Sequence, residues 1–80
     1  AYTGQYDEAI TWGKKAVQQK PDSFLAHIIL TEIYSLAGRD EEARVQAAEV
    51  LRVNPKFSLE KFAKRATPKS ISALRKAGLK

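Results

Sequence analysis

The stretch GRDEEAR, residues 38–44, repeats almost unchanged the earlier stretch GQYDEAI, residues 4–10. The two stretches lie 34 residues apart, and the same interval separates Pro21 from Pro55. One matching motif arises easily by chance, whereas a shared interval across several positions does not. The chain therefore contains an internal repeat, and a period of this length is typical of stacked helical units.

The repeated stretch has the features of a turn between two helices. Gly38 can adopt the left-handed conformation that ends a helix. The acidic residues 40–42 can open the next helix, because their charge suits the positive end of its dipole. Asn54 and Pro55 then end that second helix, since proline disfavours helical geometry in the residue before it.

A first helix is predicted before this turn. Asp22 or Ser23 can cap its start. Its apolar residues form a wide arc, which predicts a helix that is covered on more than one side. In the second helix, Ala43, Ala47 and Val50 recur at helical spacing. Residues 22–55 are therefore expected to form a helical hairpin.

The stretches GQYDEAITWGKKAVQQKP and AHIILTEIYSLAGRDEEARVQAAEVLRVNP resemble the tetratricopeptide repeat, a helix–turn–helix unit of 34 residues. The resemblance implies a closing glycine, two small residues that let helices approach, and a terminal proline in each copy. Those repeat positions are Gly4, Ala9, Ala16 and Pro21 in the first copy and Gly38, Ala43, Val50 and Pro55 in the second. It implies an all-α solenoid fragment of about five helices, ending in C-terminal capping helices.

The register divides this single structural domain into three segments. Residues 1–21 are expected to be the second helix of a truncated repeat, with Gly4 as its turn glycine and residues 1–3 as the end of a preceding helix. Residues 22–55 are the complete repeat, and residues 56–80 are basic capping helices. Because such repeats bury their faces against neighbours, we expect an apolar patch on the first helix, through which the fragment pairs as a homodimer. Its apolar residues are Ile10, Trp12 and Val17.

Two short helices are predicted in the last segment. Ser58 can cap the first. Its inward residues are Leu59, Phe62 and either Ala63 or Ala66. Thr67 can cap the second, with proline in its first turn, and Gly78 can end it.

The same segment carries a second resemblance. NPKFSLEKFAKR together with LRKAGL resembles the closing segment of repeat arrays in bacterial class III adenylate or guanylate cyclases and related signalling regulators. This resemblance implies an alternative function, the C-terminal regulatory region of such a protein. The catalytic domain would then lie upstream of these residues.

The residues offer little for catalysis. The chain has no cysteine and one histidine, His27, which stands on a packed helix and is expected to be a partly buried spacer. The acidic residues 40–42 suit a helix start better than a metal site. We expect a non-catalytic fragment with no metal and no cofactor. The missing cysteines agree with a cytoplasmic location, and the longest apolar run, FLAHIIL, is too short to span a bilayer.

The net charge of +5 belongs to the end of the chain. Residues 1–55 carry six Lys/Arg against eight Asp/Glu, whereas residues 56–80 carry eight against one. Such a basic tail could attract nucleic acid or an anionic membrane. The favoured interpretation is a solvated outer face that closes the array, so no nucleic-acid partner is expected.

The family resemblance implies binding of a peptide or partner protein on the concave face formed by the first helices of successive repeats. The expected contact residues are Leu25, Ile28, Glu32 and Ser35 on the complete repeat, and Lys61, Phe62 and Arg65 on the next helix. For Leu25 and Ile28, packing against neighbouring helices remains the alternative. The lysine and asparagine that grip a carboxylate in some members are replaced by Ile28 and Glu32, which favours an apolar or mixed ligand.

Overall fold

The computed structural model describes the backbone of residues 3–80 and the side chains of residues 6–80. This part of the chain contains five α-helices, one 3₁₀ turn and no strand. The all-α prediction is thereby confirmed. The elements are α1 (Thr3–Gln19), α2 (Phe24–Leu36), α3 (Asp40–Val53), α4 (Leu59–Phe62), the 3₁₀ turn Ala63–Arg65, and α5 (Pro68–Lys76).

Local signals set both ends of α2. The Ser23 hydroxyl accepts a hydrogen bond from the N–H of Ala26, so Ser23 is the cap. At the other end Gly38 has a φ of 78°, and the N–H of Arg39 donates to the carbonyl of Tyr34 at 2.9 Å. This closing bond requires a left-handed residue, which glycine supplies without a Cβ clash. The predicted glycine stop is confirmed.

The helix α2 lies at the centre of the fold. It packs against α1, α3 and α5, which explains its wide apolar arc. One continuous core takes residues from all three segments of the chain. Its buried members are Ile10, Ile28, Leu30, Tyr34, Ala43, Ala47, Val50, Leu59, Leu74, Ala77 and Leu79.

α1 approaches α2 closely at Gly13. A Cβ built on Gly13 would lie 2.8 Å from Cδ1 of Leu30, closer than real Cβ contacts allow. A larger side chain here would force Leu30, which is buried, to move. The sequence analysis took Ala9 and Ala16 as the small residues of this copy and did not single out Gly13.

The start of α1 corrects one prediction. The helix begins at Thr3, so Thr3 and Gly4 lie in its first turn rather than at the end of a preceding helix. Ala1 and Tyr2, the rest of that predicted helix end, lie outside the described residues. Glycine is permissive enough to occupy a helix at a modest cost, so its presence alone does not mark a stop.

The C-terminal segment closes onto the core. Ser58 and Thr67 cap α4 and α5 as predicted, and the hydroxyl of Thr67 accepts from the N–H of Ser70 at 3.2 Å. Gly78 ends α5 with a φ of 108°, and Leu79 turns back into the core.

Within α4 and the turn after it, Leu59 is buried and Phe62 is half-buried. Of the two alternatives for the third inward residue, Ala66 is half-buried and Ala63 is exposed. Because α4 is only four residues long, the side of α2 that it was expected to cover is instead taken by α5.

Candidate functional site

The predicted concave-face residues of α2 separate into two groups. Leu25 is exposed to 51%, as a binding residue should be, but Ile28 is 2% and Ser35 is 4% exposed. The prediction of Ile28 and Ser35 as partner-binding residues is therefore wrong. Both belong to the packed interior, since α5 lies along α2.

Glu32 is engaged within the fold. One oxygen of its carboxylate accepts a hydrogen bond from the Ser70 hydroxyl at 2.6 Å, and that hydroxyl accepts one from Thr67 at 3.1 Å. The half-buried Glu32 thus ties α2 to the start of α5. Its carboxylate is a structural group, which also removes it from the predicted binding set.

An apolar stripe on α2 is exposed instead. Ile29 is 52% exposed, nearly the same as Leu25, while Ile33 and Leu36 are partly buried at its edge. We call these four residues the α2 stripe. Residues three or four apart share a helix face, so their spacing places them along one side for about 16 Å. The sequence prediction missed Ile29, which lies one helical turn after Leu25.

The three predicted residues beyond the repeat do come together. Lys61, Phe62 and Arg65 line one cleft of about 250 Å³. Phe24, Asn54, Lys56, Phe57 and Ser58 complete its lining. We call this the aromatic cleft, and it lies where α2 begins and α3 gives way to α4.

Three phenylalanine rings pack together in the aromatic cleft. The ring centroids of Phe24 and Phe57 are 6.4 Å apart at 58°, and those of Phe57 and Phe62 are 5.8 Å apart at 50°. These distances and tilts are those of mutually packed aromatic rings. All three rings are half-buried, so the cleft has an apolar base with some surface open to solvent.

The basic residues of the tail do not gather in one place. Lys56, Lys61 and Arg65 surround the aromatic cleft. Arg75 and Lys80 line a different cleft together with Glu60. This distribution differs from the continuous basic stripe that the sequence left open.

His27 is a structural tie. It is buried, with Nε2 2.8 Å from the carbonyl oxygen of Pro21 and Nδ1 2.9 Å from Oε1 of Gln46. A carbonyl can only accept, so Nε2 carries the proton and donates to Pro21. The Gln46 amide can satisfy Nδ1 as donor or as acceptor. The ring joins α2 to α3 and to the turn after α1, and is more deeply buried than the predicted spacer.

A metal or membrane role finds no support in the described part. Among residues 6–80, no group of three or more His, Asp or Glu side chains is placed to hold a metal ion. Within residues 3–80, no helix combines the length and the apolar character needed to cross a bilayer.

The repeat positions fall into two sets. Ala43 and Val50 are fully buried, whereas Ala9 is half-buried and Ala16 is exposed. The residue-by-residue equivalence over 34 positions and the hairpin of α2 and α3 are the features of a repeat array. The sequence model of the tetratricopeptide repeat matches residues 2–60, more than half of the chain. The chain belongs to the tetratricopeptide repeat family.

The family match sets the general function. Tetratricopeptide repeats act generally as protein–protein interaction modules and are typically non-catalytic. The match does not reach residues 61–80, so the resemblance of the tail to cyclase-associated arrays stays a prediction. Searches of curated proteins and of solved structures found no match to this chain.

Proposed function

We propose that this tetratricopeptide fragment binds one apolar side of a helical segment in a partner protein, and that the α2 stripe makes the contact. The observation that carries the proposal is the half exposure of Leu25 and Ile29 on a helix whose other sides are covered. Exposed apolar side chains become significant when they form a contiguous patch. Here helical spacing aligns them.

A helix is the occupant that suits this surface. α1, α3 and α5 already pack on the other sides of α2, so its surface accommodates helices repeatedly. The stripe is about 16 Å long, enough to hold apolar residues at positions i, i+3 or i+4, and i+7 of a docked helix.

The test uses a displayed library of amphipathic helical peptides, selected on the wild-type chain and then measured individually for affinity. The double variant Leu25→Ser/Ile29→Ser should weaken the selected peptides about tenfold or more, because tenfold corresponds to about 1.4 kcal/mol and two aliphatic contacts exceed that. Both side chains are half exposed, so the fold should tolerate the change.

Val45→Ser/Leu51→Ser is the matched control. Val45 and Leu51 are exposed aliphatic residues of α3, and their loss changes surface hydrophobicity by a similar amount elsewhere. Equal losses in the two double variants, or a selection that enriches no apolar-faced peptide, would contradict the proposal.

A second copy of the chain is the partner proposed for the outer face of α1. Trp12 is 64% exposed there, beside the accessible Ala9 and Ala16. α1 is acidic in its first half and basic in its second. An antiparallel pairing centred on Trp12 places Glu8 of each copy near Lys15 of the other, which adds attraction between opposite charges.

Sedimentation equilibrium tests this pairing. The wild-type should form a dimer as concentration rises, and Trp12→Glu should be monomeric over the same range. Val45→Glu, which adds the same charge at an exposed position of α3, should behave like the wild-type. A monomeric wild-type at high concentration would refute the pairing without affecting the α2 stripe.

A further inference from the structure

The aromatic cleft combines features that the proposed helix-docking function does not use. Its base consists of three half-buried phenylalanine rings, and its rim carries Lys56, Lys61 and Arg65. Asn54 and Ser58 add hydrogen-bonding groups at the same opening. The cleft therefore offers an apolar recess surrounded by positive charge.

The three rim cations lack acidic partners in the described part of the chain. The ion pairs found among residues 6–80 involve Arg39, Arg52 and Lys76. Lys56, Lys61 and Arg65 are in none of them, and all three are exposed. Their charge is thus available to a ligand, and it is concentrated around one recess.

The size of the recess limits what can enter it. At about 250 Å³ it is below the roughly 300–1,000 Å³ of sites that enclose a complete small molecule or cofactor. One large side chain is a more suitable occupant. The exposed cations then meet residues on either side of that anchor.

We propose that the aromatic cleft binds an internal acidic segment of a protein that carries one aromatic anchor. The anchor inserts against Phe57 and Phe62, and flanking carboxylates pair with Lys61 and Arg65. Arg65 can form two parallel hydrogen bonds with a carboxylate. The site rests on the proposed function only in that its ligand is a protein segment; it uses residues outside the α2 stripe.

The ring geometry favours a peptide over nucleic acid. The rings are tilted by 50° and 58° against one another and cover each other, whereas single-stranded nucleic acid uses exposed rings on which successive bases stack. The other tail cations, such as Arg75 and Lys80, line a separate cleft. A continuous track for a phosphate backbone is therefore missing from this part of the described surface.

The experiment measures fluorescence anisotropy of a labelled, C-terminally amidated peptide with a central phenylalanine between glutamates. Amidation excludes binding through a terminal carboxylate. Replacing the peptide's phenylalanine by serine should weaken binding about tenfold, the effect expected for loss of a buried anchor. Replacing its glutamates by glutamine should weaken binding and remove most of its salt dependence.

Lys61→Gln/Arg65→Gln is the test variant on the protein. Both residues are exposed, so the fold should be retained, and circular dichroism verifies this. We expect affinity for the acidic peptide to fall about tenfold, as for loss of paired charges at a binding rim. Arg75→Gln/Lys80→Gln removes the same net charge from the other cleft and should change affinity by less than about twofold by the same criterion.

Three results would overturn the inference. Equal losses in the two double variants would show general charge attraction. Equal binding of the serine peptide would show that no anchor is recognised. Tighter binding of a single-stranded oligonucleotide, weakened alike by both double variants, would assign the tail to polyanions. Retained binding of helical peptides by the α2 stripe in the same samples would show that the proposed function survives any of these failures.

Discussion

α1 and α3 stand at equivalent places in the repeat, 34 residues apart, yet they turn different faces toward α2. α3 contributes the buried residues Ala43, Ala47 and Val50. In α1 the buried or partly buried residues are Ile10, Gly13 and Val17. Only one position, Gly13 in α1 and Ala47 in α3, belongs to both sets.

The unused face of each helix is accessible. The α1 residues equivalent to Ala43 and Val50 are Ala9, which is half-buried, and Ala16, which is exposed. The α3 residue equivalent to Val17 is Leu51, which is 42% exposed. Each such helix thus has one face for its own hairpin and another for the next unit. α1 shows the second contact and α3 shows the first.

The largest expected effect distinguishes these faces directly. Val50→Asn places an amide at a position with no exposed surface, which should cost about 3 kcal/mol or more through lost packing and an unsatisfied polar group. Ala16→Asn at the equivalent exposed position should cost at most about 0.7 kcal/mol, from helix propensity. Urea unfolding followed by circular dichroism measures both. Similar losses would show that the two faces are not different.

The two proline turns allow a second test. The Pro21 turn is held by His27, which also contacts Gln46, whereas the Pro55 turn is followed by the packed ring of Phe57. His27→Leu should lower the unfolding free energy by about 1–3 kcal/mol, because it leaves the Pro21 carbonyl without its buried donor. His27→Gln keeps an N–H group near that carbonyl and should lose less. Thermal unfolding of both variants provides the comparison, and equal losses would place the effect in packing alone.

The two turn glycines provide a third comparison, with opposite signs. Gly38→Ala should destabilise by about 1–2 kcal/mol, since an L-residue is strained at positive φ. Nothing lies within 4 Å of a Cβ there, so the cost is conformational. Gly4→Ala should be neutral or stabilise by up to about 1 kcal/mol, because alanine is the better helix former. Destabilisation by Gly4→Ala in urea unfolding would argue that residue 4 is a turn after all.

These pairs also show what the sequence could and could not predict. Ser23, Gly38 and Thr67 were predicted correctly because capping depends on groups within a few residues. Gly4 was misplaced because its role was inferred from its equivalence to Gly38. The two differ in backbone conformation, which similarity of sequence does not determine.

The candidate site was harder to predict for a tertiary reason. The burial of Ile28 and Ser35 depends on α5 lying along α2, and that path follows from the shortness of α4. The aromatic cleft was found in part, through Lys61, Phe62 and Arg65. Phe24 lies more than 30 residues earlier in the chain, so only the fold could place it beside Phe57.

The smallest expected effect concerns a surface pair that α3 has and α1 lacks. Arg52 donates a hydrogen bond to the Glu49 carboxylate, which lowers the pKa of Glu49 below its ordinary value. The equivalent residues in α1 are Lys15 and Gln18. A lowered pKa in the folded state means that Glu49 contributes stability above its unfolded pKa and loses it as pH falls through the folded value.

Glu49→Gln should therefore reduce stability slightly at neutral pH, since exposed ion pairs contribute little. The difference from wild-type should vanish at acidic pH, once the Glu49 carboxyl is protonated in the folded state. Lys15→Gln is the control, because lysine does not titrate in the acidic range. Urea unfolding at a series of pH values measures both variants. A Glu49→Gln difference that persists at low pH would show that the carboxylate charge is not its cause, leaving α1 and α3 distinguished by packing alone.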